Sequence, residues 1–344
     1  MKKKIILVAT GSVAIIKFEE IKDMLSSNFD IKCLATPTVA NYFNKSYFEK
    51  FNENIFGEPD HIRLAKWADQ IVVVPATLKT MAKFKSGISD NFVMSVLLAA
   101  RQPIMFVPAM NTFMYEAAIE RDIISFVEQH HLLIEPVVGM LREKEIGMGR
   151  MQEPAKIVKY INNVITPKQS VIISYGSSKI YIDNIRYFSS GSKGGIAKAL
   201  RNELKLNGYK VKMFSVENMS NEEIVKKVNE SNADWYISPA AISDFKTEKV
   251  NGKIHKRNTY TIELKRNIDV ISHIKNKKII GFKLDDNKQN AINKKQNNNL
   301  EIIVWNKLDS IGSNKVTGSI ITTKEKDFND ITKTELAKRI VKEM

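Results

Sequence analysis

Two segments place polar side chains where an apolar run stops. "QIVVVPATLKT" ends its run at Pro75-Ala76-Thr77, and "PIMFVPAMNT" ends its run at Pro108-Ala109-Met110-Asn111. Open parallel sheets bind ligands beyond the carboxyl ends of their strands, so both places suit a site. An Asn there can hydrogen-bond a carboxylate or the edge of a cofactor. His61, a little upstream, can transfer protons near neutral pH. Taken singly, His61 is as readily a surface cap and Asn111 a turn former. Two Pro-Ala strand ends with a His nearby argue for a shared purpose. "ILVATGSVAIIK" adds Gly11 and Ser12 at a strand-to-helix turn, where free backbone N–H groups and the helix dipole suit a phosphate. Any α/β domain has such a turn, so this signal is weak alone.

Positioning these residues requires strands that alternate with helices. Short apolar runs at Ile5–Ala9, Ile31–Ala35, Gln70–Val74 and Ile104–Val107 read as strands, with Leu133–Glu135 a further candidate. Amphipathic stretches such as Phe18–Ser27 and Asn91–Ala100 lie between them. The alternation predicts parallel βαβ units with helices on both faces of the sheet. A polar connector with Pro167 follows, and a boundary is expected near Ile165–Ser170. The pattern then restarts at Val171–Ser174, Lys210–Phe214, Asp234–Ser238, Ile279–Phe282, Glu301–Trp305 and Ser319–Thr322. The expected architecture is two doubly wound α/β domains with parallel-rich sheets, residues 1–165 and 166–344. "DDNKQNAINKKQNNN" reads as a loop, with Ala291 and Ile292 leaving room for a helix.

The chain has 344 residues and a net charge of +15, with 43% hydrophobic and 26% charged residues, in the ordinary globular range. Its lysines are dispersed among Asn and Ile without a basic, aromatic stripe. That favours a Lys/Asn-rich genome, or attraction for anionic substrates, over nucleic-acid binding. Cys33 is the only cysteine. It excludes an intramolecular disulfide framework and any multi-cysteine metal site within one chain, and it fits a reducing cytoplasm. Its place at the end of a predicted strand makes it a small core residue. The N-terminal apolar run is short and soon meets acidic residues, which reads as a first strand and not an export signal. No stretch approaches a membrane span.

The segments "GSVA", "HIRLAKWAD", "VPAT…MAKFKSGISDN", "PAMNTFMY" and "GMGRMQEP" stand in the order seen in the homo-oligomeric flavin-containing cysteine decarboxylases. The second half, with "DNIRYFSSGSKGG", "AAISDF", "NGKIHK", "IIGFKLDD" and "IIVWNKLDSIGSN", resembles the fused phosphopantothenate–cysteine ligases. Together they resemble the bifunctional proteins of coenzyme A biosynthesis, over almost the whole chain. The resemblance implies CTP- and Mg²⁺-dependent ligation of 4′-phosphopantothenate to cysteine, followed by FMN-dependent decarboxylation of the product to 4′-phosphopantetheine. It implies contacts to FMN from Gly11, Ser12, Thr36, Thr38 and Thr77. His61 would be the acid/base, Asn111 would bind the substrate carboxylate beside Ala109 and Met110, and a mobile lid over the substrate would include Arg150 and Met151.

The family places a proton-donating cysteine in that lid, and here the position is Glu143. An exposed Glu is mostly ionised near neutral pH, which leaves the lid frame without its expected donor. Lys79 stands where the family often has Asn. In the second half, Gly176, Ser177 and Ser178 keep a small, phosphate-friendly turn. Ser190 falls at a family Asn, Gly191 at an Arg and Gly195 at a Lys, while Lys283 is also a departure. By motif match, Lys253 and Lys256 would contact CTP phosphate, Lys253 with a catalytic role. Asp244 would reach Mg²⁺ or cytidine, Phe282 would meet the base at a strand end, and Asn306 would read cytidine. The family further implies trimers of the flavin domain with sites at subunit interfaces, dimers of the ligase domain, and a dodecamer combining them. Expected partners are small molecules, with neither nucleic acid nor membrane. Two alternatives stand beside the bifunctional enzyme. One is a divergent paralogue with partial activity, stopping at the enethiol or retaining only the ligase; the other is a non-catalytic binding or regulatory protein on this scaffold.

Overall fold

A computed structural model describes residues 2–43, 45–49, 59–167, 169–192, 194–256, 259–310, 313 and 315–344. The chain divides into two compact units, Met1–Thr166 and Pro167–Met344.

In the first unit, β1 (Lys3–Ala9) leads through a 3₁₀ turn (Val13–Lys17) into α1 (Phe18–Ser26) and β2 (Phe29–Ala35). Then follow α2 (Pro37–Tyr42), α3 (Asp60–Trp67), β3 (Gln70–Ala76), α4 (Leu78–Lys85) and α5 (Phe92–Ala99). The rest is β4 (Met105–Pro108), α6 (Thr112–Glu120), α7 (Ile123–His130), β5 (Leu132–Leu133), the strands β6 (Val137–Met140) and β7 (Ile146–Arg150), and α8 (Pro154–Ile165). The main sheet runs β2-β1-β3-β4-β5, every pair parallel. Its central strands are apolar in their interiors because helices cover both faces, although β1 opens with Lys3 and Lys4 and β3 with Gln70. Ile5, Ile6, Leu7, Val8 and Ala9 are all 0% exposed, and every residue of β3 is buried. β1 is followed on one side by β2 and on the other by β3. The chain therefore changes winding direction between β1 and β3, and a crevice opens beyond their carboxyl ends.

The second unit contains β8 (Gln169–Tyr175), a ribbon of β9 (Ile180–Tyr181) and β10 (Tyr187–Phe188), α9 (Gly195–Leu206), β11 (Tyr209–Ser215), α10 (Asn221–Asn229) and β12 (Trp235–Ser238). A second ribbon, β13 (Phe245–Lys246) with β14 (Lys265–Arg266), precedes β15 (Lys278–Leu284), α11 (Lys288–Asn297), β16 (Ile302–Asn306), β17 (Lys315–Ile321), β18 (Glu325–Thr332) and α12 (Lys333–Lys342). The sheet order is β11-β8-β12-β15-β16-β17-β18, parallel as far as β16 and antiparallel beyond it. The winding reverses between β8 and β12, as it does between β1 and β3.

Several expectations change. Strand β5 stops at Leu133, short of Glu135, and β15 continues past Phe282 to Leu284. Asn91 is the cap of α5, its side chain accepting from Met94 N at 3.1 Å. The Asn/Lys-rich segment forms α11, capped by Asn287 and anchored by the buried Ala291. Strand β18 was not expected: among its residues only Phe328 is buried, so the polar edge strand carries no apolar run to detect. Cys33 is buried in β2, and burial pushes its thiol up to about 12, which makes it a core residue. No helix among the described residues is long and apolar enough to cross a membrane.

Candidate functional site

In the first unit the predicted residues gather at the carboxyl ends of β1 to β4. Thr10, buried and absent from the sequence reading, joins β1 to β3. Its hydroxyl donates to Pro75 O at 2.7 Å and accepts from Thr77 N at 3.0 Å. This fixes Thr77, which in turn caps α4. Gly11 is exposed, and Thr38 crowds it: an added β-carbon would lie 2.8 Å from the Thr38 methyl. Ser12 caps the 3₁₀ turn, accepting from Ala14 N at 3.4 Å, and Thr36 is buried at the start of α2. The five positions expected at FMN thus all lie beyond the carboxyl ends of β1, β2 and β3, where a bare backbone at Gly11 can approach a phosphate. A groove of about 550 Å³ opens alongside, between Pro37 and Ala40 of α2 and the start of α5, but contains none of the predicted residues.

Beyond β4, Ala109 N donates to Ala76 O at 3.1 Å, so the two Pro-Ala ends are joined directly. Asn111 caps α6 by accepting from Phe113 N at 2.8 Å. That leaves its amide N–H₂ free to point outward. The strands β6 and β7 form an antiparallel hairpin over this end. Met110 N donates to Gly149 O at 3.1 Å, and Gly149 sits so tightly that a β-carbon there would meet Met110 O at 2.2 Å. At the hairpin tip, the Asn111 amide donates to the Glu143 carboxylate. That hydrogen bond holds the Glu143 carboxyl below its ordinary value, so it is a carboxylate at neutral pH and has no proton to give. Arg150 is exposed and pairs with Glu153 at 2.8 Å, while Met151 is 3% exposed and contributes to packing. Lys79 lies in the first turn of α4. His61 occupies the first turn of α3, half-buried, and among the described residues it makes no hydrogen bond. Within one chain its ring is not hydrogen-bonded to the Asn111–Glu143 pair.

In the second unit the loops after β8 and β12 are knitted together. Ser178 N donates to Ala241 O at 3.1 Å, and Ala241 N to Gly176 O at 2.9 Å. The Ser178 hydroxyl accepts from Ser243 N at 2.8 Å. Ser177 Oγ accepts from Ser192 N at 2.6 Å, which draws in the loop of Ser190 and Gly191, both exposed. Gly195 begins α9, and an added β-carbon would lie 3.2 Å from Lys333 Nζ. Burial lowers the Lys333 pKa. Asp244 is exposed just before β13. Phe282 lies within β15 opposite Val304, half-buried against the core, and not at the strand end where it was expected. Lys283 pairs with Asp285 at 3.4 Å. Lys294 of α11, overlooked in the sequence, has its pKa lowered by burial and lies within electrostatic reach of Asp269, Lys283 and Asp244. It was hidden because it sits among many dispersed lysines. Asn306 ends β16, is 6% exposed, and its carbonyl Oδ1 has no hydrogen-bond partner among the described residues. A buried acceptor at a strand end fits the amino edge of a base. Lys253 and Lys256 are exposed on the segment after β13. Among the described residues no group of three or more His, Cys, Asp or Glu could hold a metal.

Two doubly wound sheets, each with polar groups collected where its winding reverses, define a two-domain protein of the open-sheet cofactor- and nucleotide-binding class. Residues 1–166 match the family model described as Flavoprotein, and residues 166–344 match the DNA/pantothenate metabolism flavoprotein C-terminal domain. The chain belongs to this flavoprotein family of the bifunctional coenzyme A biosynthesis type. It is 29% identical to the coenzyme A biosynthesis bifunctional protein of Borreliella burgdorferi, covering 99% of this chain and 98% of that one. It is 28% identical to the same protein of Bacillus subtilis, over 90% of this chain and 87% of that one. A solved structure of a PPC decarboxylase mutant complexed with pantothenoylaminoethenethiol is 28% identical with a TM-score of 0.43, covering 47% of this chain and 97% of that one.

Proposed function

We propose that the second unit ligates 4′-phosphopantothenate to cysteine with CTP, and that the first unit decarboxylates the 4′-phosphopantothenoylcysteine formed, within coenzyme A biosynthesis. The observation that carries this reading is the pair of family models that meet at residue 166 and together span the chain. The curated bifunctional relative is matched over 98% of its length.

In the ligation, the phosphopantothenate carboxylate attacks the α-phosphorus of CTP and pyrophosphate leaves. The cysteine amine then takes the acyl group and CMP leaves. Lys253 and Lys256 offset negative charge as it develops on the phosphates, with the Gly176–Ser178 turn and Ser190 lining the substrate. The Asn306 acceptor, unpaired among the described residues, favours the cytidine base, and Asp244 serves Mg²⁺.

In the decarboxylation, FMN supplies acceptance and return of a hydride. Gly11, Ser12, Thr36, Thr38 and Thr77 would hold it. His61 moves the proton that accompanies oxidation of the cysteine side chain to a thioaldehyde. Asn111, flanked by Ala109 and Met110, orients the substrate carboxylate so that CO₂ leaves and the electron pair passes to sulfur. Arg150 and Met151 belong to the hairpin that covers the substrate. Full turnover then requires a proton on the resulting enethiolate. Glu143 stands where that donor belongs, yet its carboxyl is held ionised and already engages Asn111. This favours a specific second reading, in which the first unit releases the enethiol.

Among the described residues the His61 ring makes no hydrogen bond, and Ile16 and Phe113 are 75% and 72% exposed. These features support a homo-oligomer in which a neighbouring subunit completes the flavin site; the family resemblance implies trimers of the first unit and dimers of the second, combining as a dodecamer. Sedimentation should show a species heavier than a trimer.

The deciding experiment supplies phosphopantothenate, cysteine, CTP, Mg²⁺ and FMN to the purified protein, and reads pyrophosphate release and product mass. Pyrophosphate with phosphopantetheine supports the full reading. A product lighter by a pair of hydrogen atoms supports the enethiol, and neither signal overturns both.

A further inference from the structure

Asp183 is a buried carboxylate that none of the chemistry above uses. It lies in the turn between β9 and β10 and is 0% exposed. Its Oδ1 accepts from the backbone N–H of Ile185 at 2.7 Å and of Arg186 at 2.6 Å. Its Oδ2 accepts from Arg186 Nη1 at 2.6 Å and from the backbone N–H of Ile254 at 3.0 Å. Arg186 Nη1 also donates to Ile254 O at 3.1 Å. The pair Asp183–Arg186 therefore grips both backbone polar groups of one residue, in the manner of a partner strand. Ile254 is the neighbour of Lys253 and stands two places before Lys256. Further bonds run the same way: Asn184 N donates to Gly252 O at 3.1 Å, and Val250 N to Ile182 O at 2.9 Å.

We infer that Asp183 is a positioning residue for ligation: with Arg186 it fixes the backbone at Ile254 and so sets where Lys253 and Lys256 stand. The inference rests on the ligase reading for its catalytic part and on geometry alone for the clamp. Lys253 and Lys256 are both exposed, and long exposed side chains are poorly ordered unless their backbone is held. A ribbon of two-residue strands cannot hold a facing segment by ladder bonds alone. A carboxylate that accepts three backbone N–H groups and a guanidinium can, and these donors keep Asp183 well below the usual carboxylate range. In Asp183→Asn the shape is kept. The amide accepts through one atom only, so Nδ2 would face the Ile254 N–H or the Arg186 guanidinium, donor against donor.

The test uses the full chain with D183N, K253A and the double variant. A displacement of a catalytic group by about 1 Å costs on the order of 10²-fold in rate, so D183N should lose pyrophosphate release by about 10²-fold in kcat, with the KM for CTP little changed. Because Asp183 acts through Lys253 and Lys256, D183N should slow the K253A variant by much less than it slows the parent. Hydrogen exchange at the Ile254 amide should accelerate in D183N while flavin content stays at the parent level. Multiplying rate effects in the double variant, or unchanged exchange at Ile254, would overturn the inference. If the parent itself releases no pyrophosphate, the ligase reading fails separately, and the Ile254 amide still decides whether Asp183 is the clamp.

Discussion

At Asn111 one side chain is divided between two duties. Its carbonyl caps α6, and its amide meets Glu143. The cap was invisible as such in the sequence, where Asn111 read as a carboxylate binder; both descriptions concern the same strand end. The carboxylate it meets in the folded chain belongs to the protein itself. In the proposed reaction an incoming substrate carboxylate has to displace Glu143, and Asn111→Ala should lower decarboxylation by about 10²-fold through lost orientation, measured as CO₂ release. Glu143→Cys should raise the yield of fully reduced product relative to the enethiol, read by mass. The pH dependence follows from the sign of the shift. The folded carboxyl lies below its ordinary value of about 4.3, so the Asn111–Glu143 contact is present above that value and is lost only as pH falls through the lowered one. Between about pH 6 and 8 the product ratio of the parent should therefore stay constant; a ratio that shifts toward phosphopantetheine on acidification in that range would make Glu143 a donor after all. Thr10 and Asp183 escaped the sequence reading because their roles are contacts with residues far along the chain, which spacing does not record.

Among elements, the buried strands were the most legible, since a parallel strand covered on both faces must be apolar throughout. The hairpin β6–β7 was less so. Half-buried and exposed residues alternate in β6 but not in β7, and the place of the hairpin is set by the buried Gly149, which has nothing to show in a hydrophobicity pattern. Gly149 has φ of 145° and lies against the Met110 carbonyl. Gly149→Ala should lift β7 from Met110, expose the hairpin to proteolysis and slow decarboxylation, while flavin, held by other loops, is retained. A flavin-free variant would show instead that the hairpin supports the cofactor crevice. In the second unit Gly318 is a stricter case: an added β-carbon would lie 1.9 Å from Trp305 O. Gly318→Ala should cost about 1–3 kcal/mol in chemical denaturation of that unit, with the first unit unaffected.

Over the whole molecule, two sheets with separate cores share one topological plan. Expressed apart, residues 1–166 should bind flavin without the remainder, and 167–344 should release pyrophosphate from CTP and phosphopantothenate without flavin; a colourless first piece would mean that the flavin needs the second. The plan itself was legible from alternating runs, but the antiparallel finish β17–β18 was not, because a polar edge strand lacks the pattern that marks the interior. The helix that follows this finish bears on how relatedness is judged. Position 195 carries glycine, and beside its bare backbone lies the ammonium of Lys333, brought there by the last helix of the chain. The motif resemblance expects a lysine at position 195; in the fold the side chain of Lys333 ends beside that position, supplied by a different stretch of polypeptide. The start of α9 thus has a cation beside it although position 195 itself carries none.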